Sequence, residues 1–555
     1  MADLKIFPLG GIAKVTQNMF LYTYEDEILI VDCGIGFPDF HMPGVDILIP
    51  DINYLQDEVT AGKKIVGMAL SHGHDDHIGA LPYLLDQLPE LTIYASSLTA
   101  GFAKNRMSDG AVQRDIVVLK DREVLQLGQY FKLTSFAMTH SVPDTKHFLI
   151  ETPVGNIYHG SDFKIDKQPI DGIESDYEFI KSLKERGIAL MLMDCLGVEK
   201  DAWGLSESVV GPNLDALMER TKGKFVVTLM SSHVHRIQQI INSAAKYGRR
   251  VALVGRSVEQ NIATALQLKK ISDPEGVLID KKKIKTVSED KLCLIVAGSQ
   301  GQEGSSMMRA IYGEHSEISI TAKDLVVFSA EAIPGNEINY YGAIDELSIN
   351  GVETIYPAID NGIHQSGHGK RQELAALLEM VMPKMVMPIG GSNRHRVKFG
   401  ELVAKNLGYK DEQVVLPNDG DILNLSAEGK IKLHDHIHLR SQIVDGLGIG
   451  DVGPAVLSDR RALGQAGIIL IVIKRYEKDR LDLDNIVVVS RGFVFMKDAK
   501  EVIDYIKRRV AEIVTDVYQP NNKVQVERAV EKRLAKNLYT LIKREPMIEV
   551  EIVDC

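Results

Sequence analysis

The sequence predicts an α/β protein in which packed sheets give way to a doubly wound parallel sheet and then to a small α+β domain. Three observations carry this expectation. Up to about residue 205 the apolar segments are strand-length, some alternating and some solid, with short turns between them. From about residue 206 apolar strands are followed by amphipathic, helix-length segments in a strand–loop–helix rhythm, the pattern of a parallel sheet with helices on its faces. Beyond a turn-rich stretch at 444–454 come two apolar strands, two helices and one further strand.

Taken in order, strands are expected at "KIFPLGG", "NMFLYTYEDEILIVDCG", "KIVGMAL", "LTIYAS", "KLTSFAMTH", "HFLIETPVGNIYHGSDFK" and "IALMLMDC". Half-buried and fully buried strands together suit sheets packed on one another and flanked by helices. In the second part "KFVVTLM" precedes "HRIQQIINSAAKYG", "RVALVGR" precedes "EQNIATALQLKKI", and "KLCLIVAGSQG" and "DLVVFSAEAIPG" follow. Their loops fall at the carboxyl ends of strands, where such sheets bind ligands. Histidines return in "GIHQSGHGK" (362–370) and "PKMVMPIGGSNRHR" (383–396), and "VDGLGIGDVGP" reads as a linker. In the last part "GIILIVIKRY", "NIVVVSRGFVFM" and "PMIEVEIV" read as strands. "AKEVIDYIKRRVAEIVTDV" and "VQVERAVEKRLAKNLYTLIKRE" read as helices, the second with Val526, Val530, Leu534, Leu538 and Leu541 on one stripe.

The chain has 555 residues, enough for two to four domains, and is 45% hydrophobic and 25% charged, the composition of an ordinary globular protein. No apolar run is long enough to cross a bilayer, and "MADLKIFPLGG" lacks the basic start and apolar stretch of a signal peptide. The four cysteines, Cys33, Cys195, Cys293 and Cys555, lie far apart, so neither a zinc ribbon nor a disulfide scaffold is expected. A reduced, cytoplasmic chain with no membrane partner is the expectation. The net charge of −12 argues against a general nucleic-acid-binding surface, but a local groove or bound divalent metal still attracts a phosphate chain.

"SHGHDDHIGA" (71–80) follows the apolar strand "KIVGMAL" and places three histidines and two aspartates within six residues. Residues two apart in an extended segment converge on one ion, so His72 and His74 can share a metal. Asp76 and His77, on the following turn, can reach a second. Two ions held this way form a clamp for displacement at phosphorus or carbonyl. Imidazole with carboxylate suits zinc or manganese. Such density at the end of a core strand does not fit a solvated face.

The pattern H-x-H-x-D-H resembles the signature of the metallo-β-lactamase superfamily. The resemblance implies an αββα sandwich and further ligands. His140 in "MTHSVPD" would complete the first metal site, Asp162 in "HGSDFK" would bridge both ions, and Asp32 in "IVDCG" would support the histidine loop. Asp75 is left over, a carboxylate that faces solvent or backs the loop. Asp194 in "LMLMDC" and His368 in "HQSGHG" resemble motifs of the β-CASP branch, the nucleic-acid-processing members. The whole chain is similar to the ribonuclease J family through "GVDILIPDINYL", "THSVPD", "HRIQQII", "VGRSVE", "GSQG", "IPGN", "SGHG", "GIGDVG", "SRGFVFM" and "REPMIEV". This implies a hydrolase domain over 1–205 and 362–443, an inserted β-CASP domain over 206–361, a linker at 444–460 and an assembly domain over 461–555.

By the same resemblance the chain hydrolyses RNA with two divalent ions, zinc first and manganese or magnesium as alternatives. Asp76, Asp162, Asp194 and His368 form the catalytic set, with His368 the general acid oriented by Asp194. The family holds a 5′-monophosphorylated, single-stranded end for 5′-to-3′ exonuclease action, and endonuclease cleavage stays open. Ser232, Ser329, Ser366 and His368 are candidates to cradle that phosphate, and Arg236 and Arg256 are candidate phosphate or RNA contacts, with structural ion pairs as the alternative for both. The C-terminal domain implies a homodimer or homotetramer. One departure stands out. The family has a histidine ligand where this chain has Gly390, so either His395 swings in or the second site lacks one protein ligand. The rival readings are a small-substrate hydrolase of the same fold, a nuclease that prefers DNA, and a weakly active paralogue serving as a partner subunit.

Overall fold

The computed structural model describes residues 2–39, 41–333, 335–476, 480–493, 500–518 and 522–555. Two sheets face each other in the first part. One has eight strands in the order Ile431–His436, Asp421–Leu425, Leu4–Pro8, Phe20–Tyr24, Glu27–Val31, Lys64–Leu70, Ile93–Ala95, Ile116–Val118. The other has six, in the order Met385–Ile389, Ile188–Asp194, Gly155–His159, Lys146–Thr152, Phe131–Ala137, Val124–Leu127. Leu29, Val31 and Ala69 of the first sheet meet Phe148, Ile150, Leu190 and Leu192 of the second in one core. The opposite face of the second sheet, with Phe136, Leu149 and Met191, packs on Phe179, Ile180 and Leu183 of helix Tyr177–Arg186 and Leu374, Leu377 and Leu378 of helix Arg371–Val381. Burying apolar area on both faces of that sheet explains why its central strands read as solid apolar runs.

The stretch between these strands forms its own sheet. Its six strands run in the order Leu278–Ile279, Arg250–Val254, Leu292–Val296, Phe225–Thr228, Leu325–Phe328, Glu353–Ile355, and every pairing is parallel. Helices such as Val234–Lys246, Arg256–Gln267 and Glu337–Ile349 make the crossovers. The chain then returns to the first two sheets through Met385–Ile389 and Asp421–Leu425. The fold is thus a metallo-β-lactamase sandwich carrying an inserted doubly wound β-CASP module.

The chain divides into two compact units, Met1–Phe37 with Ile47–Gln442, and Pro38–Asp46 with Ile443–Cys555. In the second unit, strand Ile468–Tyr476 pairs antiparallel with Val487–Arg491 and parallel with Met547–Asp554. Helices Lys500–Val517 and Lys523–Ile542 cover one face through Ile506, Val510, Val530 and Leu534. Val526, Val530, Leu534 and Leu538 are buried, but Leu541, expected on the same stripe, is 54% exposed because it precedes the left-handed residue that ends the helix by only two positions. The stretch expected as a linker at 444–460 instead holds a short hairpin, Gln442–Asp445 with Gly448–Ile449, and the start of helix Pro454–Ala466. Proline at the first helical position favours that start, since the missing N–H has no partner there anyway. The end of the expected strand "NIVVVSRGFVFM", residues 494–496, lies outside the described residues, as does position 334 of "IPGN".

Candidate metal centre

Strand Lys64–Leu70 delivers Ser71 and His72 to the edge of the sandwich, and a four-residue helical turn, Asp75–Ile78, carries Asp76 and His77. Loops after Phe131–Ala137 and Gly155–His159 bring His140 and Asp162 to the same place, and strand Ile188–Asp194 ends on Asp194. Three groups of donor atoms converge there, each within 4.8 Å: His72, His74, His140 and Asp162; Asp76, His77 and Asp162; and Asp162, Asp194 and His368. Asp162 belongs to all three.

The hydrogen bonds behind the rings fix their tautomers. Ser71 Oγ donates to Asp32 Oδ2 (2.9 Å) and so accepts from His72 Nδ1 (3.0 Å). His140 Nδ1 donates to the carbonyl of Gly367 (2.7 Å). The inward nitrogens of both rings therefore carry lone pairs. His72 Nε2 lies 3.0 Å from His74 Nδ1, and His140 Nε2 lies 3.2 Å from that same atom. Burial first of all, then neighbouring histidines, holds His72 and His140 well below the usual imidazole range, and burial brings His74 to about 3. Three neutral, buried imidazoles aiming lone pairs at one point fit a cation. A tetrahedral ion with bonds of about 2.0–2.1 Å spaces its nitrogens about 3.3–3.4 Å apart. The donor set thus fits a divalent ion such as zinc.

The second group is built differently. His77 Nδ1 donates to Asp32 Oδ2 (2.7 Å), leaving Nε2 facing Asp162 Oδ2 at 3.5 Å and Asp76 Oδ2 at 3.6 Å. Asp32 holds this position with a left-handed backbone (φ 64°) and also accepts from the Ser71 amide (2.7 Å). Burial works against charge on His77, but Asp162, Asp76 and Asp32 outweigh it and raise its pKa. Burial raises Asp76 to about 6, partly opposed by His77. Burial would also raise Asp162, yet His368 and His77 hold it well below the usual carboxylate range. A carboxylate shared between the donor groups that stays ionised, with a carboxylate–imidazole pair beside it, would fit a second divalent ion with fewer protein donors.

His368 Nδ1 lies 2.7 Å from Asp194 Oδ2 and its Nε2 lies 3.8 Å from Asp162 Oδ2. Burial lowers the His368 pKa, but Asp194 and then Asp162 overcome it and carry it to about 9. The His368 amide in turn donates to Ser366 Oγ (3.1 Å).

Other expected residues are placed elsewhere. His395 stands at the start of helix Asn393–Phe399, its Nδ1 accepting from the Ser392 amide (3.3 Å) and its Nε2 beside Arg394 and Glu199, so both ring nitrogens are engaged away from the three donor groups. Gly390 has φ +66°, and a Cβ built on it would lie 3.5 Å from Asp194 Oδ1 and 3.8 Å from Asp162 Oδ1. A side chain at 390 would point into the centre, and this chain has none. Arg236, expected as a phosphate or RNA contact, is fully buried and forks onto Glu207 (2.8 and 2.7 Å). Ser329 is buried too, its hydroxyl donating to the Ile363 carbonyl (2.6 Å). Both side chains are turned to internal partners, because a buried guanidinium needs its carboxylate and a buried hydroxyl its acceptor. Ser232 is buried beside helix Val234–Lys246, and Arg256 is exposed, 3.7 Å from Asp109. Sequence reasoning missed Ser71, the Gly367 carbonyl, and Asn18, whose side-chain amide donates to the Asp76 carbonyl (3.2 Å). Only Ser71, adjacent to the histidine motif, had a signal.

Fold and centre together define a hydrolase of the metallo-β-lactamase class with a β-CASP module. The family model for the metallo-beta-lactamase superfamily matches residues 13–165, that for the ribonuclease J beta-CASP domain matches 222–347, and that for the ribonuclease J C-terminal domain matches 455–555. Ribonuclease J of Synechocystis sp. is 34% identical over 98% of this chain and 84% of that protein. Ribonuclease J 1 of Streptococcus pyogenes serotype M3 is 32% identical over 98% of this chain and 97% of that one, and Ribonuclease J2 of Bacillus subtilis is 28% identical over 98% of each. A crystal structure of a protein of unknown function from Enterococcus faecalis V583 shares the fold at 16% identity, with a TM-score of 0.53 over 76% of this chain and all of that one. The chain belongs to the ribonuclease J family.

Proposed function

We propose that this chain is a metal-dependent ribonuclease that hydrolyses RNA phosphodiester bonds in RNA processing and decay, working 5′ to 3′ on monophosphorylated, single-stranded ends. The observation that carries this reading is the single carboxylate, Asp162, shared by two donor groups and by the Asp194–His368 pair. His72, His74, His140 and Asp162 would hold one divalent ion, zinc first, with Asp76, His77 and Asp162 holding the other. Such a pair of ions supplies a water acidified to near neutrality and neutralises charge on the phosphoryl oxygens.

The chain's own groups do the rest. Asp32 and Ser71 orient the rings of His77 and His72, so no rotamer search precedes reaction. As water oxygen bonds to phosphorus the bond to the 3′ oxygen breaks, leaving a 5′-phosphate on one product. The departing 3′ oxygen takes its proton from His368 Nε2, which the Asp194 charge keeps protonated at neutral pH. The residues of 206–361 form the module that covers the RNA, residues 461–555 the assembly domain of a homodimer or homotetramer, and the compartment is the cytoplasm. Purified protein supplied with manganese or zinc is expected to degrade 5′-monophosphorylated RNA, and His74→Ala and Asp162→Ala are expected to abolish that activity. Equal inertness of wild type and both variants sinks the reading. Gly390 favours a second one in that case, a weakly active paralogue acting as a partner subunit, since it leaves the second group with three protein donors. Faster cleavage of single-stranded DNA than of RNA would instead point to a DNA nuclease.

A further inference from the structure

We propose that Arg106 is a positioning residue of the metal centre. It holds the turn that carries Asp76 and His77 through a fork on Asp75, and the helix it belongs to packs on the β-CASP module through other residues. The proposal rests on the two-ion reading above.

Asp75 lies between His74 and Asp76, yet its carboxylate is in none of the three donor groups. Both its oxygens are taken by one side chain. Arg106 Nε donates to Oδ1 (2.7 Å) and Nη2 to Oδ2 (2.6 Å). The pair is partly exposed, with side chains 29% and 41% accessible, so its contribution to global stability is small. Its geometry is another matter. A bidentate fork fixes the orientation of a carboxylate in two directions, which a lysine cannot do. The turn Asp75–Ile78 is a single helical turn and cannot hold itself in place, because nucleation costs more than its few hydrogen bonds return. The amides of Asn18, Cys33 and Ile35 hold the carbonyls of Asp76, His77 and Asp75 (3.0, 2.8 and 3.0 Å), and the Asp75 carboxylate adds a side-chain grip on the opposite flank of the two residues that follow it.

Arg106 is near the end of helix Ser97–Met107, which Ser96 caps by accepting from the Thr99 amide. The same helix touches the metal loop a second time. The Phe102 ring lies against Gly73, where a Cβ would come 2.5 Å from Phe102 Cδ2, so only glycine fits between His72 and His74. Its other flank meets helix Arg256–Gln267 of the β-CASP module. Gly101 sits under Thr264, and Asn105 Nδ2 donates to Thr264 Oγ1 (3.0 Å). One helix thus stands between the metal loop and the module proposed to cover the RNA.

The test uses the full chain, stripped with a chelator and titrated with Mn²⁺ by calorimetry. Arg106→Gln keeps a good helix former and removes the fork. It is expected to weaken the lower-affinity Mn²⁺ event by about 10- to 100-fold, the usual effect of losing a group that orients a ligand. The same variant should lower kcat and leave KM for RNA and the melting temperature of the metal-free protein unchanged. Asp75→Asn, which leaves the helix untouched, should reproduce these effects and carries the test should Arg106→Gln misfold. The double variant should be no worse than either single one, as two residues acting through one interaction require. Unchanged Mn²⁺ binding in both single variants, or additive losses in the double variant, overturns the proposal. Wild-type protein that binds no Mn²⁺ overturns the two-ion reading and the proposal together.

Discussion

Arg236 donates from Nε and Nη2 to Glu207, from Nη2 also to the carbonyl of Gln365 (3.1 Å) and from Nη1 to the carbonyl of Ser329 (2.7 Å), with His364 Nδ1 2.8 Å from Nη1. Arg236→Met would leave Glu207 buried without its counter-charge, at a cost of about 3–5 kcal/mol. The expected outcome is a lower denaturant midpoint with unchanged KM for RNA in the protein that remains folded. A stable variant with weakened RNA binding would return Arg236 to the substrate. Asp194→Asn acts on chemistry instead. The Asp194 charge raises the His368 pKa, so its removal should lower kcat and move the alkaline limb of the pH–rate profile to lower pH, with metal content retained by elemental analysis. At this scale the residues legible from their own pattern were those whose chemistry is dense in sequence, His72, His74, Asp76 and His77 in one loop, while His140, Asp162, Asp194 and His368 were reached through the family resemblance. Gly367 contributes a backbone carbonyl and Asn18 a contact across 58 positions, and neither leaves a pattern that spacing can reveal. For Arg236 the sequence left a phosphate contact and a structural ion pair open, because its partner Glu207 lies 29 residues earlier and on another element.

Among the elements, helices Ser97–Met107 and Arg256–Gln267 are joined by a charged clasp as well as by packing. Asp144 accepts from Ser97 Oγ (2.8 Å) and the Leu98 amide (3.2 Å), and faces Lys270 Nζ (3.1 Å) and Lys146 Nζ (3.5 Å). Burial opposes its charge, but Lys146 and Lys270 outweigh burial and bring its pKa to about 2. A carboxylate whose folded pKa lies below its unfolded one stabilises above pH 4 or so and loses that contribution as pH falls through about 2. Asp144→Asn should therefore cost about 2 kcal/mol in urea denaturation at pH 7 and progressively less below pH 4. A pH-independent difference would contradict this account. Strands and most helices were legible from apolar runs and their period. The ends were less so: Leu541 has helical spacing but stands where the helix stops, and 444–460 has a linker's composition while Pro454 already begins a helix.

In the whole molecule, the C-terminal unit has its own core of Ile471, Val510, Leu534 and Ile552, distinct from those of the sandwich and the β-CASP sheet. Removing residues from 455 onward should leave the circular dichroism of the remaining fold and RNA cleavage in place while lowering the mass per particle to that of one chain, read by light scattering. An unchanged oligomer would end the assembly role proposed for this unit. The sandwich itself is stitched from both ends of the first unit, since Leu4–Pro8 pairs with Asp421–Leu425. The hydrogen bond from His140 to the Gly367 carbonyl carries a consequence for synthesis. His72 and His74 leave the ribosome early, but the group that orients His140, and His368 beside it, follow roughly 300 residues later, about 15–60 s at ordinary elongation rates. On the proposed mechanism, a growing chain would for that interval hold its metal-binding histidines without His368 as proton donor. By the same reading, cleavage of any RNA, the message that encodes the chain included, would wait until most of the chain has been made.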